Sequence, residues 1–337
     1  MEISDTIIET AIERFLYQTK IKIKWNQPKG NKPNKDGIIT IYFPNKEELF
    51  IPVIKKEFTN IHFYNLEKNY KEKNPRIVII AEHINPNIRE KLRNLNICYM
   101  DVAGNTFVKT PDHIIFLDGF KNTNKITINK NRAFTKTGLK VSYNLLINPE
   151  LLNTPYRNIA READVALDTI NKTFTALKEL GYIINLTPKT YILANKKKLF
   201  EQWVNEYENK LKPTLFIGMF RYPKNEDIKK WKDFNFNDDN TFWGGEPAAG
   251  ILTKYLYPEI FTIYTTLTKT ELIKKYKLIP DANGNVIIYR KFWNTNTDNP
   301  KVAQIELIYA DLINTTQGRN IETANIIYDE YLKNKYE

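Results

Sequence analysis

Apolar positions recur at helical spacing at the start of the chain. In SDTIIETAIERFLYQ, residues Ile7, Ile8, Ala11, Ile12, Phe15 and Leu16 share one face, which predicts an amphipathic packing helix. The period then shortens. IKIKW (21–25), GIITIYF (37–43), LFIPVI (49–54) and IHFYNL (61–66) are short runs rich in β-branched and aromatic residues, and each predicts a strand. RIVIIAEHI (76–84) holds an unbroken apolar run, the pattern of a strand covered on both faces. PNIREKLRNL predicts a helix entered through Pro86, and ICYMD, TFVKT and HIIFLDGF predict further strands. This order of elements makes residues 1–120 an α/β sandwich.

Residues 121–134 form a polar, basic linker. Beyond it, TGLKVSYNLLINPEL predicts an amphipathic helix on Leu139, Val141, Leu145 and Leu146. TPYRNIAREADV predicts a short second helix, with Thr154 as N-cap and Pro155 as the first helical residue. ALDTINKTFTALKELG predicts a third, with Ile170, Phe174, Leu177 and Leu180 on one face and Gly181 at its end. YIINLTPKTYILAN then reads as a β-hairpin. Three helices and a hairpin over 135–195 predict a winged helix-turn-helix. Residues 196–337 predict a C-terminal α+β domain. It opens with KKKLFEQWVNEYENKL, contains a hairpin signalled by Asn283-Gly284, and closes on two helices. The predicted fold class is thus multidomain, α/β plus α+β.

Length supports this division, since 337 residues suffice for two or three domains. Hydrophobic residues at 42% and charged residues at 26% describe a folded globular chain, not a disordered one. One cysteine, Cys98, excludes a disulfide framework, and three scattered histidines argue against a zinc site; no metal or cofactor is expected. A reducing, cytoplasmic location follows, with no apolar run of membrane-spanning length and no resemblance of MEISDTIIE to a signal peptide. Charge changes the picture most. Of the net +11, residues 121–213 carry +8, the footprint of nucleic-acid binding in the middle of the chain.

Candidate chemistry follows from these elements. The second helix of a helix-turn-helix enters the major groove, so its outward side chains are the readers: Asp168, Thr169, Asn171, Lys172 and Thr175. Asn171 suits adenine, Thr169 a phosphate or thymine methyl, and Lys172 guanine or phosphate. Arg157 is placed to grip the DNA backbone, and Lys136, Lys140, Lys189 and Thr190 add phosphate contacts. Asp168 stands apart, because its charge repels phosphate. In the C-terminal segment, FWGGEPAA and YADLINTTQGRNIETA single out Trp243, Gly244, Gly245, Glu246, Asp311, Arg319, Asn320 and Glu322. They form either a partner or ligand surface or an ion-paired, tightly packed turn. No P-loop lysine or GxGxxG accompanies the glycines.

The layout of residues 1–120 resembles the restriction-endonuclease-like fold. That core sets an Asp on one strand and Glu-x-Lys on the next, so that two carboxylates hold Mg²⁺ and the lysine steadies developing charge. Here Asp36 precedes GIITIYF and the triplet is Val53-Ile54-Lys55, so the metal-binding Glu is replaced and an inactive domain is expected. Glu48, Glu57 and Asp101 are the carboxylates that could substitute.

The strings YMDVAGNTFVKTP, LLNTPYRNIAREADVALDTINKTFTALKELGYI, FWGGEPAAGILTKYLYPEIFTIYT and LIYADLINTTQGRNIETANIIYDEYL resemble AbiEi-family antitoxins of type IV toxin-antitoxin systems, in their longer form. The resemblance implies a degenerate endonuclease-like domain, a winged helix and an AbiEi-like C-terminal domain. It also implies a non-enzymatic function: autorepression on double-stranded DNA at its own promoter, and action against a nucleotidyltransferase toxin without a stable complex, in abortive infection. The alternatives are a metal-dependent nuclease and a protein-docking scaffold in phage defence.

Overall fold

In the computed structural model, which describes residues 3–26, 37–60, 62–63, 66, 76–120, 132–188, 190–223, 231–233, 236, 240–294, 299–315 and 317–337, the chain divides into two units, Met1–Ile126 and Thr127–Glu337.

The first unit is a mixed seven-stranded sheet in chain order: β1 (Lys22–Asn26), β2 (Ile38–Phe43), β3 (Lys46–Phe58), β4 (Ile77–Ile84), β5 (Cys98–Asp101), β6 (Thr106–Lys109) and β7 (Ile114–Leu117). The three central strands, β3, β4 and β5, are parallel, and the flanking pairs are antiparallel. Alternation along β4 explains its apolar run. Val78 and Ile80 pack with Ile7, Ile8, Ala11 and Phe15 of α1 (Ile3–Thr19), while Ile77, Ile79 and Ala81 pack with Ile88 and Leu92 of α2 (Pro86–Asn94). The layering is helix, sheet, helix. Leu16, placed by its spacing on the packing face, is 45% exposed instead.

Pro52 lies inside β3, where a proline would normally break the ladder. It is tolerated because β3 changes partners there. Pairing with β2 ends at Ile39↔Phe50 and pairing with β4 begins at Ile51↔Ile77, with Ile51 N–H donating to Arg76 O. The missing N–H of Pro52 therefore faces the side that β2 has already left. IHFYNL differs from its predicted strand: its described residues 62, 63 and 66 are helical, following a β3 that already runs to Phe58.

The second unit begins with the 3₁₀ turn Arg132–Phe134 inside the expected linker, and Ala133 and Phe134 are buried. Most of the linker, 121–131, lies outside the described residues. Then come α3 (Lys136–Ile147), α4 (Tyr156–Ala163), α5 (Leu167–Glu179) and the hairpin β8 (Ile183–Thr187)–β9 (Thr190–Leu193). Thr154 does not cap α4; its hydroxyl donates to Leu151 O, and Pro155 takes the N-cap position.

The chain continues through α6 (Lys196–Glu206), a π turn (Tyr207–Leu211) and α7 (Lys212–Leu215). The π turn lets the helix run on through Pro213, which lacks the N–H an α-helix would need there. A five-stranded sheet follows, in the order β11-β12-β14-β10-β13. Its strands are β10 (Phe216–Arg221), β11 (Thr241–Trp243), β12 (Phe261–Thr265), β13 (Ile279–Pro280) and β14 (Val286–Arg290). Helices α8 (Gly245–Thr253), α9 (Lys269–Tyr276), α10 (Ile305–Ile313), α11 (Gly318–Ile327) and, after a second π turn, α12 (Lys333–Tyr336) complete it.

The hairpin expected at Asn283-Gly284 is not formed. β13 and β14 pair with opposite edges of β10, not with each other. Asp281 shapes the connection: its carboxylate accepts from Asn283 N–H and its carbonyl from Gly284 N–H. Gly284 is needed because a Cβ there would lie 2.1 Å from Phe220 O as the chain crosses the end of β10.

The predicted boundary at residue 195 is no break in packing either. Leu139 and residues 141–146 of α3 are all buried, because α4 and α5 cover one side of the helix while α6 and the π turn cover the other. Tyr143 stacks on Trp203 at 4.9 Å between ring centroids and meets Phe292 at 5.0 Å.

Candidate nucleic-acid interface

α5 turns Ile170, Thr173, Phe174 and Leu177 inward, and this fixes what it shows to solvent. Asp168, Asn171, Lys172 and Thr175 are exposed on one face, with Thr169 half-exposed at its border. Asp164 ends α4 in the left-handed region at φ 49°, and Val165 N–H returns to Ala160 O at 3.0 Å, which makes the turn into α5 tight. Tyr156 of α4 packs on Phe174 of α5 at 4.8 Å. As a result Arg157 meets Asp168 and Asn171 around one open groove, completed by Pro155, Tyr156 and Leu167.

The polar side chains on this face are partly committed. Lys172 forms an ion pair with Asp168 one helical turn away, and Thr175 Oγ1 donates to Asn171 O at 3.0 Å. Lys140 Nζ lies 3.4 Å from the Asp164 carboxylate, beside the tight turn, while Lys136 is exposed at the start of α3. Thr190 is half-exposed at the start of β9; Lys189 lies outside the described residues.

Three residues here escaped sequence reasoning. Arg161 is exposed one turn beyond Arg157, a spacing that could have revealed it. Lys178 Nζ sits 4.0 Å from the Tyr191 ring centroid. Asn153 clamps the hairpin, accepting from Tyr191 N–H at 2.8 Å and donating to Tyr191 O at 3.0 Å. That pairing spans 38 residues and has no local signal.

The C-terminal candidates fall into two buried networks rather than one surface. Trp243, Gly244, Gly245, Glu246, Asp311 and Asn320 are buried, Arg319 is half-buried, and only Glu322 is exposed. The Glu246 carboxylate accepts from Glu259 N–H (2.7 Å), Ile260 N–H (3.2 Å), Arg319 (3.0 Å) and Asn320 Nδ2 (2.9 Å). It ties α8 to α11 and to the loop before β12. Asp311 accepts from Gly245 N–H at 3.2 Å and Tyr264 OH at 2.9 Å, and pairs with Lys212 at 3.2 Å. Burial works to lower the Lys212 pKa, but Asp311 and Glu208 outweigh it and hold the ammonium above its ordinary value. Gly244 is fixed by packing, since a Cβ would lie 2.4 Å from the Tyr264 ring. These residues do what a buried carboxylate requires, which is to surround it with donors.

In the first unit, Val53 packs against the apolar layer beneath α2, and Lys55 is exposed two residues on. Glu48 is buried and paired with Lys46 and Arg76. Asp101 is buried and binds the turn after β5 through Asn105, whose N–H and side-chain amide donate to it at 2.9 and 2.8 Å. Burial pushes its carboxyl pKa up, against these donors. Glu57 is half-buried near the end of β3, opposite His83 of β4. Asp36 lies outside the described residues. Among the described residues no group of three or more His, Cys, Asp or Glu side chains is placed to hold a metal ion, and no helix is long and apolar enough to cross a membrane.

No curated protein and no solved structure matches the chain. Residues 192–333, from within β9 to the first residue of α12, match the family model described as "Transcriptional regulator, AbiEi antitoxin, Type IV TA system", and this part of the chain is an AbiEi-family domain.

Proposed function

We propose that the protein is a DNA-binding autorepressor and the antitoxin of a type IV toxin-antitoxin system, with α3–α5 and the β8–β9 hairpin acting as a winged helix. The observation that carries this reading is the outward face of α5, which exposes Asp168, Asn171, Lys172 and Thr175 and is built onto an AbiEi-family domain. Asn171 is the base-reading residue, Arg157 and Lys136 are backbone contacts, and Lys172 is a contact held in reserve by Asp168. The functional partner is a nucleotidyltransferase-type toxin, countered without a stable complex. The first unit is a degenerate endonuclease-like domain: Val53 belongs to its apolar packing, and Glu48 and Asp101 are each occupied by structural partners.

The deciding experiment is fluorescence anisotropy with a duplex from upstream of the protein's own gene, repeated across a salt series. Binding should weaken log-linearly with salt, and an equal affinity for unrelated duplex would leave the autorepressor reading without its operator. Plasmid incubated with the protein and Mg²⁺ or Mn²⁺ should remain intact; cleavage would restore the nuclease reading.

A further inference from the structure

The two edges of the seven-stranded sheet are built differently. β1 exposes Lys22 and Lys24, the placement of charge that keeps an edge from pairing with another chain. β7, at the other edge, reads Ile114-Ile115-Phe116-Leu117 and carries no charge, with Ile114 66% and Phe116 53% exposed. Among the described residues no strand pairs with its outer side. The backbone is set for a partner. Thr110 N–H donates to His113 O in the β6–β7 register, so residues 113, 115 and 117 bond inward and the N–H and C=O groups of Ile114 and Phe116 point outward.

We infer that β7 pairs with β7 of a second copy of this chain, in an antiparallel ladder whose two-fold axis passes through Ile115. This register is selected by the residues. Side chains opposite one another in a ladder share a face, so a two-fold pairing must be centred on a residue. Centred on Ile115, Ile114 of each copy stands opposite Phe116 of the other, a β-branched–aromatic pair made twice, and all outward backbone groups of Ile114 and Phe116 are satisfied. Centred on Phe116, Ile114 would face Asp118 instead. The chosen register brings Asp112 opposite Asp118 of the second copy, but each already has its cation: Lys46 at 3.5 Å for Asp112, Arg89 and Arg93 for Asp118. Phe116 is also held in place beforehand, edge-on to Phe107 at 6.4 Å and beneath the Arg93 guanidinium at 4.9 Å, which lowers the cost of ordering it at an interface.

A four-residue ladder buries less than the roughly 1,200 Å² of a stable interface, so the dimer is weak, with a dissociation constant on the order of tens of micromolar. Sedimentation velocity of the full chain from about 1 to 300 µM should show the weight-average coefficient climbing from monomer toward dimer. Ile114→Lys should raise the dissociation constant at least about tenfold, because it sets a charge in each of the two apolar pairs. Ile115→Cys should cross-link on mild oxidation, since a non-hydrogen-bonded antiparallel pair brings its Cα atoms to about 4.5 Å, within disulfide reach. Cys98, buried at 4% exposure, gives the background. A chain that stays monomeric throughout, a dimer undiminished by Ile114→Lys, or a dimeric Ile115→Cys chain that does not cross-link would each overturn the inference. Should Ile114→Lys lower the melting temperature, the cross-linking arm decides alone.

Discussion

The indole N–H of Trp203 donates to the backbone oxygen of Leu139 at 2.9 Å, with both residues fully buried. Leu139 belongs to α3 and Trp203 to α6, so the candidate DNA-binding helices and the AbiEi-family domain share one interior. Tyr336 OH on Leu146 O and Asn294 Nδ2 on Arg161 O join the same two parts.

Residues 135–195 should therefore not fold alone. Cutting after residue 195 would uncover Tyr143 and the rest of the α3 face that α6 protects, whereas residues 127–337 keep it covered. Amide proton NMR tests this: the short fragment should show the narrow dispersion of an unfolded chain and the long one should not. Within the intact chain, Trp203→Phe removes the second donor from the Leu139 carbonyl, whose bond within α3 remains, and should cost about 0.5–1.5 kcal/mol in a denaturant titration.

Much of the fold was legible in the sequence where one local pattern decided it. β4 shows its double burial as an uninterrupted apolar run, and α5 shows its outward face because Ile170, Phe174 and Leu177 mark the inward one. Patterns failed where a partner distant in sequence decided the outcome. An amphipathic reading of α3 leaves Tyr143 and Asn144 outside, yet both are buried, Tyr143 against Trp203 of α6. Asn283-Gly284 has hairpin chemistry, but β10 comes between the strands it would join. A packed turn is the commoner reading of Trp243-Gly244-Gly245-Glu246, yet no local signal names its partners, because the donors that satisfy Glu246 lie 13 to 74 residues away.

Asp168 limits the candidate reading face. It holds Lys172 and repels phosphate, so Asp168→Asn should free the lysine and tighten DNA binding. The salt slope should steepen by about one counterion if Lys172 then reaches a phosphate. Asn171→Ala should lower affinity for the operator by about 1–3 kcal/mol while leaving nonspecific binding near its original value. Arg157→Ala should weaken both alike. Anisotropy titrations on operator and scrambled duplex separate the three behaviours.

The Asp311 network predicts an asymmetry of its own. Asp311→Ala leaves the buried Gly245 N–H without its acceptor and the Lys212 ammonium with Glu208 alone, and should cost about 1–3 kcal/mol. Glu322→Ala, in the next helix and exposed, should change stability by less than about 0.5 kcal/mol. Urea unfolding of the two variants, followed by tryptophan fluorescence, makes the comparison, and equal losses would show that Asp311 is not held as described.

Tyr143 offers the opposite sign. Its hydroxyl is fully buried and has no hydrogen-bond partner among the described residues. Burial also pushes its pKa well up, so the group stays neutral. Tyr143→Phe keeps the stacking on Trp203 and removes a desolvated hydroxyl, and should leave the melting temperature unchanged or raise it.

His62 gives the first unit a pH dependence. Thr59 N–H donates to its Nδ1 at 3.2 Å, a bond that requires an unprotonated nitrogen. Burial first, and the Lys55 charge second, lower the His62 pKa from its ordinary value of 6.5. The unfolded chain thus takes up a proton at a higher pH than the folded one. The stability this provides is complete above about pH 6.5 and is lost as pH falls through the folded-state value. His62→Gln removes the titration and should flatten the part of the melting-temperature profile that declines below pH 6.5. Thermal melts of both chains from pH 7.5 to 5 test it: a decline of the same steepness in the variant would assign the acid sensitivity to another group.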